Sequence, residues 1–233
     1  MTLRLITLDL DDTLWPVEPV LAEAEQQFHR FLREREPELF SCIGIDELRA
    51  HRLERLEQQP ELRHDISRWR RESLCALLCE HGLEQTRAET LANDAFAVFL
   101  AARQRVTLFD GAEVALAELA SRYPLVALTN GNADVYRMAV GKYFSAAIRA
   151  EEVGISKPAP AIFERALALA ECAPEQALHI GDDPVCDIAP ASALGMRSLQ
   201  AAISGKHPPG EPSFQHWREV PKAVAALARR LAR

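Results

Sequence analysis

Leu3-Arg4-Leu5-Ile6-Thr7-Leu8-Asp9-Leu10-Asp11-Asp12-Thr13-Leu14 stands near the start of the chain. Its first half is short, largely apolar and β-prone, and it runs straight into an acidic turn. A central strand of a parallel sheet reads this way, because helices cover both faces and leave no polar side. Asp9 then falls at the carboxyl end of the strand, the edge where open α/β sheets bind their ligands.

Outward from this stretch the texture changes twice. From about Glu18 to Arg105 strand-like runs vanish, and Leu and Ala mix with Glu, Arg and Gln as in a helical insert. Within it Leu74, Leu77, Leu78 and His81 fall at helical spacing and stop at Gly82, a C-terminal cap. After Asp110-Gly111 helix and strand alternate: a helix to Arg122, the strand Leu125–Leu128, a helix through Tyr136 and Met138, and a brief strand around Ile148. Lys157-Pro158-Ala159-Pro160 then opens a helix, and Ala177–Ile180 makes a strand ending in Gly181-Asp182-Asp183. A further helix and strand to Leu199 complete the count. The expected fold is a doubly wound, Rossmann-like parallel-sheet α/β core of residues 1–17 and 106–233, with a helical cap domain of residues 18–105 inserted into it. The stretch Gly205–Pro212 is turn-rich and reads as an exposed loop.

Composition narrows the function. The chain has 233 residues, 48% of them hydrophobic and 26% charged, which is globular and excludes disorder. A formal net charge of −7 repels nucleic acid and anionic membrane, so any phosphate site must create its own positive charge. The five cysteines, Cys42, Cys75, Cys79, Cys172 and Cys186, have no finger or ribbon spacing and support neither a disulfide framework nor a zinc site. Charges at Arg4, Asp9, Asp11 and Asp12 interrupt the first apolar run, which speaks against a signal peptide or spanning helix. A cytoplasmic protein, monomer or homodimer, with a small-molecule partner is expected.

Successive strand ends present Asp9 and Asp11, then Thr129-Asn130, then Lys157 in a loop, then Asp182-Asp183 with Asp187 beyond. Gathering Asp9, Asp11, Asp182 and Asp187 at one point costs heavily in repulsion and desolvation unless a cation sits among them. A hard divalent ion suits an all-oxygen donor set, and Mg2+ keeps a few carboxylates, several waters and a substrate phosphate.

This order resembles the haloacid dehalogenase superfamily, whose members open on a strand and an Asp-x-Asp-x-Thr signature, here Asp9 to Thr13. Thr129-Asn130-Gly131 resembles its second motif, Lys157-Pro158 the third, and Gly181-Asp182-Asp183 to Asp187 the fourth; the likeness runs from Leu3 to about Leu199. It implies a magnesium-dependent phosphatase of small phosphate esters. Asp9 would be the nucleophile and Asp11 the acid and then base, with Thr129 and Lys157 as stabilisers of the transferring phosphoryl group. Asp9, the backbone carbonyl of Asp11 and Asp182 would hold Mg2+, with Asp187 or Asp183 orienting its waters and Asp187 favoured. Asn130 either offers its backbone amide to a phosphoryl oxygen or only shapes its turn, and Asp12 reads best as a cap. Gly181 either allows a close backbone approach or breaks the strand. Ala159 and Pro190 depart from the family's common residues without touching a proposed catalytic atom.

In capped relatives the insert selects the substrate and closes over the site, which places hinges near residues 15–20 and 104–109. Arg68-Trp69-Arg70-Arg71 supplies guanidiniums suited to anions, Arg71 among them; the same run also reads as a solvated helix face with Trp69 turned inward beside Ile66 and Leu77. Trp15 either lines the pocket mouth or packs at a hinge. A dehalogenase of the same fold has no need for Asp11 as an acid or for a metal. A phosphomutase shares every catalytic residue, a receiver domain lacks the helical insert, and an inert scaffold leaves the acidic cluster unexplained.

Overall fold

The computed structural model describes residues 2–231. Contacts divide it into two units, residues 1–17 with 106–233 and residues 18–105.

The chain begins with β1 (Leu5–Leu8), buried at every position. Five helices follow: α1 (Val17–Arg35), α2 (Pro37–Phe40), α3 (Ile45–Gln58), α4 (Ile66–Glu80) and α5 (Gln85–Arg103). Asp65 caps α4 by accepting from the Arg68 N–H, and Glu84 caps α5 by accepting from the Arg87 N–H. Gly82, at φ +89°, turns the chain out of α4. The inserted unit packs around Phe28, Leu32, Phe40, Leu74, Leu78 and Phe99. Arg52 and Arg70 both donate to Glu25 Oε1 at 2.8 Å, and the Arg70 guanidinium lies 3.7 Å from the Phe99 ring centre. Burial pushes the Glu25 carboxyl upward, but Arg70 and Arg52 outweigh it and hold it below its ordinary value.

The sheet unit continues with α6 (Ala112–Ala120), β2 (Leu125–Thr129), β3 (Ala146–Arg149), α7 (Ala150–Val153), α8 (Ala161–Leu169), β4 (Ala177–Gly181), α9 (Ala189–Ala193), β5 (Arg197–Ala201), β6 (Ser213–Phe214) and α10 (Val220–Leu231). All six strands are parallel, in the order β3-β2-β1-β4-β5-β6. The expected doubly wound α/β architecture is therefore present. β2 and β4, like β1, are buried throughout, as strands covered on both faces must be. Strand order reverses between β1 and β4, and the crevice at such a switch point is where this class of sheet takes its ligand.

Two expectations are corrected. The helix expected through Tyr136 and Met138 is instead a pair of 3-10 turns, Val135–Arg137 and Ala139–Tyr143, with Met138 extended between them. The backbone there is packed so closely that a Cβ on Gly141 would stand 2.5 Å from the Val135 carbonyl oxygen. The strand count was one short, because β6 is only two residues long and carries no readable alternation. Its approach, residues 205–212, is the loop expected.

Candidate active site

At the end of β1 the Asp9 N–H still donates to the Ile180 carbonyl at 2.8 Å, which carries the β1–β4 pairing one residue past the strand. The chain then turns sharply. Asp12 takes φ +57°, a left-handed conformation that Asp tolerates better than most residues. Its carboxylate accepts from the Val17 N–H at 3.1 Å and pairs with Lys206, so it ties down the turn. The Thr13 hydroxyl lies 3.2 Å from Asp9 Oδ2 and 3.4 Å from Asp182 Oδ1. Trp15, fully buried, gives its indole N–H to Asp11 Oδ1 at 2.9 Å. Trp217, from the segment before α10, donates to the Thr13 carbonyl at 2.9 Å and fastens the turn from the other side.

Lys157 arrives from the loop before α8. Asn130 holds that loop with both ends of its amide: Oδ1 accepts from the Lys157 N–H at 2.7 Å and Nδ2 donates to the Lys157 carbonyl at 2.9 Å. The Lys157 side chain is 2% exposed and spends its donors on Asp9 Oδ1 at 2.5 Å, Asp187 Oδ1 at 2.6 Å and the Leu128 carbonyl at 3.1 Å. Thr129, the last residue of β2, accepts from the Gly131 N–H at 2.9 Å, which leaves its own O–H as a donor.

β4 ends in Gly181 because nothing larger fits. A Cβ there would come within 2.4 Å of Asp187 Cγ, so the close approach of backbone to carboxylate requires glycine. Asp183 and Asp187 then separate. Asp183 Oδ1 accepts from the Val185 and Cys186 N–H groups at 2.7 and 3.1 Å and caps the turn Pro184–Ile188. Asp187 points inward, where Oδ1 receives Lys157 and the His179 ring, and Oδ2 receives the Asp183 N–H at 3.1 Å. Gln200 on β5 donates to the Asp182 carbonyl at 3.2 Å.

Carboxylate oxygens of Asp9, Asp182 and Asp187 all lie within 4.8 Å of one another, and all three residues are buried. Burial, together with Asp187 and Asp182, pushes Asp9 well above the usual carboxylate range against the pull of Lys157. Burial, Asp187 and Asp12 raise Asp182 to about 6. Asp187 goes the other way: Lys157 and the His179 hydrogen bond overcome its burial and hold it below the ordinary range. Lys157 is likewise kept charged, because Asp187 and Asp9 outweigh its desolvation. One lysine therefore faces three buried carboxylates and leaves the cluster short of positive charge. An all-oxygen carboxylate set in this state fits a hard divalent cation.

The sheet unit thus brings Asp9, Lys157, Asp182 and Asp187 into one cluster and ties Asn130 to Lys157, while Asp11 is bound by Trp15 and Thr129 by the Gly131 N–H. Arg71 belongs to the inserted unit, where its guanidinium lies over Phe96 at 5.6 Å and lines a cavity of about 560 Å³ with Arg55, Cys75 and Gln85. Arg68 and Arg70 of the same run are engaged with Glu72 and Glu25. Trp69 is half-buried, its indole donating to the Arg52 carbonyl at 2.7 Å. Sequence reasoning gave no role to Thr13, His179 or Lys206. The signal for His179 was available, since it is the one ring nitrogen base in an otherwise apolar strand.

A haloacid dehalogenase-like hydrolase model matches residues 3–195. The chain belongs to that family. It is similar to 5-amino-6-(5-phospho-D-ribitylamino)uracil phosphatase YigB of Escherichia coli (strain K12), 34% identical over 83% of this chain and 81% of the relative. It also resembles the phosphoserine phosphatase of Thermus thermophilus, 36% identical over 52% of this chain and 49% of that one. Among solved structures, the 2-haloacid dehalogenase of Pseudomonas syringae pv. Tomato DC3000 superposes at a TM-score of 0.90 with 36% identity, over 97% of this chain and all of that one. As a haloacid dehalogenase-like hydrolase the chain is an enzyme, and among its described residues no helix is long and apolar enough to cross a membrane.

Proposed function

We propose that this haloacid dehalogenase-like hydrolase is a magnesium-dependent phosphatase of small phosphomonoesters. The observation that carries it is Lys157 joined to both Asp9 and Asp187, with Asp182 completing a buried carboxylate cluster. Asp9 and Asp182, with the Asp11 backbone carbonyl, are the residues that would hold Mg2+. Asp187, its oxygens already engaged, suits a supporting place beside the ion. When bound, Mg2+ supplies positive charge that neither Lys157 nor a water can provide.

The steps belong to the chain's own atoms. A carboxylate oxygen of Asp9 attacks phosphorus, the ester P–O bond breaks, and Asp11 gives its proton to the departing alkoxide. Water then attacks the phosphorus of the aspartyl-phosphate, Asp11 takes back a proton, and the bond to Asp9 breaks to release phosphate. Lys157 offsets negative charge that grows on the phosphoryl oxygens, and the Thr129 O–H donates to one of them. Trp15 keeps Asp11 aimed and is a positioning residue here instead of a contact to substrate. The Asn130 side chain fixes Lys157, so any contact it makes to phosphate is through its backbone. Residues 18–105 we assign as the cap, with Arg71 as its candidate anion-binding group.

The Pseudomonas relative favours a second reading, displacement of halide from a 2-haloacid. That reaction uses Asp9 but assigns nothing to a second acid held by an indole or to a cluster of carboxylates needing a cation. A phosphomutase keeps the same first step and differs in the acceptor. Phosphate release from a panel of phosphomonoesters with and without Mg2+, beside halide release from 2-chloropropionate, tests the choice. Mg2+-dependent phosphate release that Asp9→Asn abolishes is expected. Halide release without phosphate release would overturn it, and phosphoryl transfer back to a sugar in place of water would assign the mutase.

A further inference from the structure

His179 sits in the middle of β4 and is 0% exposed. Its ring meets Phe163 of α8 edge-on, with centres 5.0 Å apart. Nδ1 lies 2.8 Å from the Thr7 hydroxyl on β1, and Nε2 lies 3.1 Å from Asp187 Oδ1. These partners fix the tautomer. An ionised Asp187 can only accept, so Nε2 carries the hydrogen; Nδ1 is then a lone pair, and the Thr7 O–H donates to it. The alternative acceptor for Thr7, the Leu178 carbonyl, is 3.5 Å away and competes poorly.

A chain of four hydrogen bonds results, from Thr7 to His179, from His179 to Asp187, from Lys157 to that same Asp187 oxygen, and from Lys157 to Asp9. An imidazole in a fully apolar strand is expensive to desolvate, and Leu or Val would fill the same space without that penalty. Its one donor falls on the oxygen that also anchors Lys157. We propose that His179 is a positioning residue for Lys157, acting through Asp187, and that Thr7 sets the tautomer that makes this possible. It orients the Asp187 carboxylate so that the lysine is held at Asp9 instead of swinging within a loose ion pair. The activity readout below rests on the phosphatase reading; the structural readout does not.

His179→Gln and His179→Met have nearly the same shape, but only glutamine keeps an N–H near the Nε2 position. Steady-state kinetics at saturating Mg2+ are expected to show kcat lowered about 10- to 100-fold by methionine, with KM within about threefold of wild type, and largely rescued by glutamine. Thr7→Val is expected to lower kcat by about threefold, and to lower it no further in the presence of His179→Met. Crystal structures of the Gln and Met variants give the second readout: Lys157 Nζ stays on Asp187 in the first and leaves it in the second. Equal kcat for both His179 variants, or an unmoved Lys157 in the methionine variant, overturns the proposal and makes His179 a satisfied core residue. If methionine prevents folding, wild-type kcat in Thr7→Val overturns the tautomer assignment. If wild type releases no phosphate, the phosphatase reading fails and the position of Lys157 still decides this one.

Discussion

Asp183 and Asp187 stand four positions apart in one short turn, and their partners divide them. Asp183 satisfies two backbone N–H groups and acts as a cap; Asp187 meets Lys157 and His179 in the buried cluster. Asp183→Ala is expected to cost about 1 kcal/mol of stability with kcat nearly unchanged, as thermal unfolding and kinetics on the same sample will show. Lys157→Met is expected to lower kcat about 10³-fold, since it removes the cation beside the developing charge. Trp15→Phe keeps the ring and deletes the N–H, so it should lower kcat about tenfold and leave KM near wild type. Asp9 and Asp182 were legible in the sequence because each directly follows a strand, and Lys157 and Asp187 because a motif marks them in the turns beyond. Asn130 left two readings open, and its clamp on Lys157 became visible only when residues 27 positions apart were placed side by side. Thr13, His179 and Trp15 are of this kind as well: their roles are contacts across strands and turns, which spacing along one chain does not encode.

At the level of elements, glycine and charge decide what periodicity could not. Gly181 was ambiguous between a strand breaker and a point of close approach; the distance a Cβ would have to Asp187 makes it the second. Gly181→Ala is therefore expected to push Asp187 away from Lys157 and abolish activity while the protein still folds, measured by kinetics beside circular dichroism. The buried strands β1, β2 and β4 were readable as short, largely apolar runs, and α4 by its spacing and its closing glycine. The segment 135–143 was not, because its helical composition is overridden by an extended Met138 and by backbone packed against Gly141. In the inserted unit the run Arg68–Arg71 left an anion-binding reading and a solvated-face reading open, and Arg70 is half-buried against Glu25 and Phe99. Glu25→Gln would leave the buried Arg52 and the half-buried Arg70 guanidiniums without their counter-charge, and urea unfolding should show a loss of about 3 kcal/mol.

For the whole molecule, the unbalanced carboxylates make stability depend on pH and on magnesium together. Asp182 is raised from 3.8 to about 6, so between those values the folded protein binds more protons than the unfolded one. Stability of the metal-free protein should then fall as pH rises through that window, and Asp9, also raised, acts in the same direction. Mg2+ competes with those protons, so the rise in unfolding temperature it gives should be larger near about pH 7.5 than near about pH 5. A rise independent of pH would mean that the ion binds elsewhere. The most direct measurement is to quench the enzyme with acid during turnover of a phosphomonoester and map the phosphoryl group by mass spectrometry. It should lie on the peptide holding Asp9, and on the Asp9 side chain; a phosphoryl group trapped on any other residue would contradict the account.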